Sequence, residues 1–460
     1  MMGPTMQSIS RNSRRQFLKY GMATVGGATV LGGLNRIALA AGKVATVNDY
    51  KALVCIFMFG GNDGNNLLIP RDATGYAEYA RGRGAALALP RQDLQPLNLT
   101  NTAGREFGLH PQMPELAAII NQGKGAVQAN VGPLSAPLTR TQYLNQSAPI
   151  PPNLFSHSDQ QFQWQTSITD SPLRTGWGGR LLDLYLPQNQ SQVATALSLV
   201  GRSTFLNGAQ TSGFSVSSSG RFGLDFYESD TATDPRSVAF RKVLNVQRQH
   251  LLEGAWIDTL SRSIETQRSF NSAINAAPAL TTVFPNTGLG DQLKTAARLI
   301  AARQALGVKR QAFFCSLGGF DTHGEDQLRD QGENLAEVSA AMAAFYNATV
   351  ELGVANQVTA FTESDFGRDL PANGNRGSDH GWGSHHLIVG GAVNGAKLYG
   401  KFPTLVVGGP DDSGGGRWIP TTAVDEYAAT FARWFGVTNN ELPALFPNIG
   451  RFANNLSFLA

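Results

Sequence analysis

Three apolar runs of this chain end alike. "ALVCIFMFGGNDGNNLLIP", Ala52 to Pro70, leaves a greasy stretch through two glycines and reaches Asp63. "FFCSLGGFDTHGEDQ", Phe313 to Gln327, does so again and reaches Asp321, His323, Glu325 and Asp326. "VTAFTESDFGR" ends in Glu363 and Asp365. A fourth segment, "GSDHGWGSHHLIVGG" from Gly377 to Gly391, sets Asp379 beside His380 and puts His385 and His386 at the head of another apolar run. Carboxylate oxygen with imidazole nitrogen is the ligand mix of Zn, Mn or Fe centres. Carboxylates gathered at one point repel unless a cation or a proton neutralises them.

Taken singly, these residues have structural readings. Asp63 fits an Asx turn, Asp321 a helix cap, His323 a donor to a backbone carbonyl, and His385–His386 a plain strand start. Taken together, three strand ends of one design and a histidine cluster favour a metal site. The asparagines of "GGNDGNN" either orient Asp63 from a second shell or supply left-handed turn conformations. Other chemistries lack their motifs: there is no G-x-S-x-G elbow, no Walker A loop, no G-x-G-x-x-G fingerprint, no H-E-x-x-H and no C-x-x-C-H.

The elements that must position these residues alternate. Ala52 to Phe59 reads as a first strand, "PELAAIINQ" as a short helix and "GAVQANVG" as a second buried strand, with a loop-rich stretch between the first strand and that helix. "SHSDQQFQWQTS", Ser156 to Ser167, reads as a capped helix start. Thr211 to Gly223 is small and polar, a loop or edge hairpin, and Arg236 to Ala276 is a covering helix or helical pair. The helix "DQLKTAARLIAARQALG" precedes the strand "QAFFCSLGG". The helix "GENLAEVSAAMAAFYNATVELG" precedes "QVTAFTES". Strands are then expected at "HHLIVGGAV" and "KFPTLVVGG" before a last helix, "VDEYAATFARWFG". Such alternation predicts a mostly parallel sheet covered on both faces, whose ligand sites lie outside the carboxyl ends of its strands.

The first forty residues read as a removable signal. "SRRQFLK", Ser13 to Lys19, has the twin-arginine pattern at Arg14 and Arg15; a weak apolar stretch follows, then a small-residue cleavage site, Ala38 to Ala40. That segment holds five basic residues and no acid. Its removal leaves 32 Lys plus Arg against 34 acids, a net charge of about −2. There is no electrostatic case for nucleic acid or an anionic membrane, and no later stretch is long and apolar enough to span a bilayer. Cys55 and Cys315 both sit in strand-like runs and read as buried, inert thiols.

Taken together, the twin-arginine signal, "FGGNDGNN", "GGFDTHGEDQ", "TESDFGR", "GSDHGWGSHH", "GGAVNGAKLYG" and "RWIPTTAVDEYAATFARWFG" resemble the DUF1501 proteins. These are exported bacterial proteins of largely unknown function, similar to the alkaline phosphatase and sulfatase superfamily. The resemblance covers nearly all of residues 41–460, read as one domain after a signal of residues 1–40, with a helical or loop insertion around 205–285. It implies a three-layer α/β/α sandwich with a mostly parallel sheet and one or two divalent ions, Zn, Mn or Ca. Residue by residue, Asp63 matches the superfamily's first-strand metal aspartate, Asp379 and His380 its Asp-His ligand pair, and Asp321 the start of a second ligand segment. The superfamily has a histidine four residues on; here position 325 is Glu and the imidazole is His323. His385 or His386 would supply the remaining imidazole. The nucleophile is expected at a helix N-terminus, where N–H groups and the helix dipole bind an anion, which brings in Ser156, His157 and Ser158. No sulfatase-type cysteine motif occurs. The implied function is an exported metal-dependent hydrolase of small anionic phosphate or sulfate esters, carried out by the twin-arginine translocase. The rivals are a non-catalytic, metal-stabilised periplasmic binding or assembly protein and a metal-dependent oxidoreductase.

Overall fold

The computed structural model describes residues 46–171, 173–191, 193–218, 227, 232–246, 251–452 and 456–459. The twin-arginine segment and its cleavage site lie outside the described residues.

The strands, in chain order, are β1 (Lys51–Met58), β2 (Leu68–Pro70), β3 (Gln95–Leu97), β4 (Phe107–Leu109), β5 (Gly125–Gly132) and β6 (Ala196–Ser198). Then come β7 (Phe214–Ser215), β8 (Arg310–Leu317), β9 (Val358–Ser364), β10 (Ser384–Gly390), β11 (Leu398–Tyr399) and β12 (Thr422–Ala423). Nine of them form one sheet in the order β11-β5-β10-β9-β1-β8-β6-β7, with β12 also on β5; β2, β4 and β3 form a small antiparallel sheet. Pairing in the large sheet is parallel except around β10, which runs against both β5 and β9.

The longer helices, of seven residues or more, are α1 (Ala73–Leu87), α2 (Pro114–Asn121), α3 (His157–Thr166), α4 (Trp177–Asp183), α5 (Pro235–Leu244), α6 (Leu251–Ala276), α7 (Gly288–Ala301), α8 (Gln327–Glu351) and α9 (Val424–Phe435). β1 shows why the sheet is covered twice. Ala52, Val54, Ile56 and Met58 enter one core with side chains of α2, α7 and α8. Leu53, Cys55 and Phe57 enter the other, with α4 and α9. A strand apolar on both sides needs a helical layer on each face, which makes the three-layer sandwich. Cys55 and Cys315 belong to opposite cores, and both are buried and free.

Two sequence expectations change. The stretch after β1 is not all loop: α1 forms there, capped by Asp72, whose side chain accepts from Gly75 N at 2.8 Å. Glycines at 82 and 84 hide it from propensity; Gly84 is left-handed and kinks the helix. "KFPTLVVGG" is not a strand. Its place along β5 is taken by β11 and β12, and Val406 and Val407 are left exposed. Of the polar stretch from Thr211 to Gly223, the described residues 211–218 are loop apart from Phe214–Ser215, which adds in parallel to β6. Between 236 and 276 the helical pattern resolves into α5 and α6, and Asp234 and Pro235 start the first of them. Among the described residues no helix is long and apolar enough to cross a membrane.

Candidate functional site

Register brings the predicted loops together. Met58 of β1 lies opposite Leu317 of β8 and Ser364 of β9, so three parallel strands release their loops at one edge. Gly60 and Gly61 have φ of +113° and +82°, which side-chain-bearing residues rarely adopt. A Cβ on Gly60 would lie 2.4 Å from Asp321 N, and one on Gly61 2.3 Å from the Phe366 ring. The double glycine therefore serves both turn and contact: it lets the β1 loop touch the other two.

Asp321 stands at the centre of the cluster that results. His323 Nε2 lies 2.9 Å and His380 Nε2 3.3 Å from its Oδ1, and His157 Nε2 lies 3.4 Å from its Oδ2. His157 comes from the opposite side, at the start of α3. Each of the three imidazoles is held by its other nitrogen. His157 Nδ1 donates to Asp365 at 2.6 Å, and His380 Nδ1 donates to the Phe155 carbonyl at 2.8 Å. His323 Nδ1 is 3.3 Å from Asp379. A ring that donates through Nδ1 has Nε2 for its second contact, so His157, His323 and His380 all bring Nε2 to the Asp321 carboxylate, and His323 and His380 also lie 2.9 Å apart through their Nε2 atoms. Phe155 holds its carbonyl in place from a left-handed conformation, φ +71°. Asp365 has no exposed side-chain surface and also accepts from Gln161 at 2.8 Å, which makes it an outer partner that orients its histidine.

Arg368 completes the centre from beneath. Its buried guanidinium donates to Asp321 Oδ1 at 2.6 Å, to His323 Nε2 at 3.2 Å, and to the carbonyls of Gly60, Gly61, Phe320 and Ser378. Partial burial works to raise the Asp321 carboxyl, but the Arg368 hydrogen bond and charge, with His157 and His323, outweigh it and hold the group down to about 2. Burial, helped by Arg368 and His157, lowers the His380 imidazole against the pull of the Phe155 carbonyl and Asp321. Burial raises Asp365, against its hydrogen bonds from Gln161 and His157. Beside the cluster opens a cavity of about 600 Å³ lined by His323, Gly324, Glu325, Gly374, Asn375 and Arg376.

Asp321, His323, Asp379 and His380 thus converge, and His157 joins them. Asp63 does not. Its carboxylate is buried on the Arg83 guanidinium, accepts from Gln327 Nε2 at 2.8 Å and caps a one-turn helix through Asn65 N at 3.0 Å. It touches the site indirectly, through Gln327, which takes a hydrogen bond from Ser378, and through Asn65, which bonds the Arg368 carbonyl. The neighbouring asparagines act as staples: Asn66 bonds Leu87 and Tyr79, and Asn65 bonds Arg368 O and Trp418. His385 and His386 also stay outside the cluster. They lie at the start of β10, buried on opposite faces. His385 Nδ1 accepts from Asn130 N with the ring stacked on Phe402, and His386 lies edge-on to Trp164. Burial pushes both imidazoles down to about 3. Ser156 and Ser158 turn toward Asp159, with Ser156 Oγ donating to it at 2.6 Å.

Reasoning from sequence missed the two arginines, Arg83 and Arg368. Arg368 closes the quoted motif "TESDFGR", and its position three residues after a strand-end carboxylate was a usable signal. Arg83 sits in the helix that its flanking glycines conceal.

The sequence model of DUF1501, described as a protein of unknown function, matches residues 50–411. The chain belongs to this family. No curated protein matches it. Among solved structures, this DUF1501 chain is similar to the PsFucS1 sulfatase from Pseudoalteromonas sp., at 12% identity and a TM-score of 0.34, over 93% of this chain and 76% of that one. It is similar also to the lipoteichoic acid synthase LtaP from Listeria monocytogenes, at 10% identity and 0.34, over 92% and 82%. A third is the C-terminal periplasmic domain of EcEptC from Escherichia coli in complex with Zn, at 8% and 0.29, over 75% and 74%. Likeness this distant says nothing about the residues of the site.

Proposed function

We propose that this DUF1501 protein is a metal-dependent hydrolase of small phosphate or sulfate esters, exported by the twin-arginine route. One observation carries the reading: His157, Asp321 and His380 offer ligand atoms within 4.8 Å of one another, and each ring has an acceptor at its other nitrogen, Asp365 for His157 and the Phe155 carbonyl for His380. Ligand atoms about 3.3–3.4 Å apart form the edges of a tetrahedron about 2.0–2.1 Å around an ion, the distance of imidazole and carboxylate bonds to Zn. His157 Nε2 and His380 Nε2 each approach the Asp321 carboxylate at that separation, one on each of its oxygens. The donor set therefore fits a divalent ion.

Such an ion supplies Lewis acidity toward an ester oxygen. The chain's own residues do the rest. Asp365 fixes the ring of His157, and Arg368 keeps Asp321 ionised. Arg376 on the cavity wall offers positive charge to an anionic substrate. Arg417, whose Nε donates to His380 O at 2.9 Å while its guanidinium lies 5.0 Å over the Phe155 ring, adds a second cation. Because Ser156 and Ser158 face Asp159, the reading assigns attack to water rather than to a serine.

The test is metal analysis of protein purified without a tag, then assay on aryl phosphate and aryl sulfate esters. Turnover that a chelator abolishes and the ion restores is the expected result. A bound ion with no turnover on either ester class would overturn the hydrolase and favour the binding or assembly role. Export rests on Arg14 and Arg15. Replacing both by Lys is expected to retain the chain in the cytoplasm, because Lys keeps the charge but not the guanidinium; undiminished periplasmic protein would refute that part.

A further inference from the structure

We propose that the centre takes one ion, not two, and that the guanidinium of Arg368 stands permanently in the second cation position. This rests on the metal reading above and specifies the number of ions and the ligand set. Two triangles of donor atoms share Asp321 and His380. The first joins the Asp321 carboxylate, His157 and His380, whose ligand atoms lie within 4.8 Å of one another, with His157 Nε2 on Oδ2, the oxygen away from the Arg368 hydrogen bond. The second joins Asp321 Oδ1, His323 Nε2 and His380 Nε2, with separations of 2.9 Å from His323 to each of the others and 3.3 Å between Asp321 and His380.

Arg368 occupies the second triangle. Its Nη2 donates to Asp321 Oδ1 at 2.6 Å and its Nη1 to His323 Nε2 at 3.2 Å. His323 Nε2 already has Arg368, Asp321 and His380 within 3.2 Å, so a metal at that nitrogen would have to displace the arginine N–H from it. A metal placed there would also face a buried, always-charged guanidinium at contact distance, with little water to screen the repulsion. The guanidinium has no easy retreat. It has no exposed surface, and four backbone carbonyls from three loops hold it, those of Gly60, Gly61, Phe320 and Ser378. All its donor nitrogens are engaged with the protein, so Arg368 positions Asp321 and His323 and does not grip substrate.

The consequence separates two exposed histidines that look equivalent in sequence. His157 is a ligand. His323, with Asp379 behind it, is the arginine's partner and the wall of the cavity. The experiment is equilibrium binding of Zn²⁺ alone, and separately of Mn²⁺ alone, to the full chain, read as ions per chain by elemental analysis after removal of free metal and as affinity by calorimetry. The parent is expected to hold one ion. His157→Ala is expected to weaken binding more than 100-fold, and His323→Ala to keep one ion within a few-fold of the parent affinity. Both rings are partly exposed, so both variants are expected to fold, which near-UV circular dichroism checks. Two ions in the parent, or loss of the ion in His323→Ala while His157→Ala keeps it, would overturn the proposal and leave the metal reading standing. No ion in a folded parent would overturn the metal reading itself.

Discussion

Asp63 and Asp321 occupy matching places. Each follows an apolar parallel strand and a pair of glycines, and each is paired with an arginine. Yet Asp63 and Arg83 have no exposed side-chain surface, whereas Asp321 is 47% exposed and only its partner Arg368 is buried. Asp63 accepts from an arginine, a glutamine and a backbone N–H, which uses its oxygens within the protein. Asp321 gives one oxygen to Arg368 and turns the other toward a histidine that reaches across from α3. The difference teaches that strand-end motifs of one design serve two ends. A carboxylate closed in by protein donors fastens the fold, and one left half open is available to a ligand.

The largest test breaks the buried member. Asp63→Ala strands the Arg83 cation in the core and removes a cap, so a loss of about 3–5 kcal/mol is expected, read by denaturant or thermal unfolding. Any folded fraction should bind metal as the parent does. A loss under about 1 kcal/mol would mean that Arg83 reaches solvent and the contrast is false.

A third strand end sharpens the comparison through pH. Glu363 of β9 is buried, and burial lifts its carboxyl to about 8, only partly offset by Trp177 and Cys55. The folded state thus holds a proton that the unfolded chain releases near about 4.3. Stability is therefore expected to fall as pH rises from about 4.3 to about 8. Glu363→Gln should flatten that fall, and unfolding curves of both proteins at pH 5 and pH 8 check it. Parallel pH slopes would show that Glu363 is ionised in the core.

Next comes the half-open member. Asp321→Asn is expected to cost about 1–2 kcal/mol, less than Asp63→Ala, because four carbonyls still hold Arg368 and water reaches the gap. Its metal affinity should drop by more than the roughly 10–100-fold typical of an outer-shell change. A variant that keeps the ion but unfolds readily would reverse the roles of the two aspartates. The smallest effect is expected at Asp379, half exposed and bonded to Asn373 at 2.9 Å and to His323. Asp379→Asn should stay within about 1 kcal/mol in thermal melts and leave the bound ion in place. Loss of the ion would move Asp379 into the ligand set.

Much of this was legible in the chain. Apolar runs ending in glycines marked β1 and β8, and helix–strand alternation predicted a parallel sheet, because periodicity and turn chemistry are local properties. Family resemblance and strand-end logic together drew Asp321, His323, Asp379 and His380 to one edge. Other features were not local. Whether Asp63 faces solvent or a guanidinium depends on Arg83, which sits in a helix of poor propensity. An apolar strand reads the same in either direction, and only pairing decided that β10 runs against its neighbours. That reversal brings His385 and His386 to the site's edge of the sheet, and the alternation of side chains turns them into the two cores instead. His157 joins Asp321 from more than 160 positions away, and the Arg368 guanidinium beneath them is held by carbonyls of three separate loops. Contacts between residues so far apart are set by how layers pack, and packing is a property of the whole chain rather than of any segment.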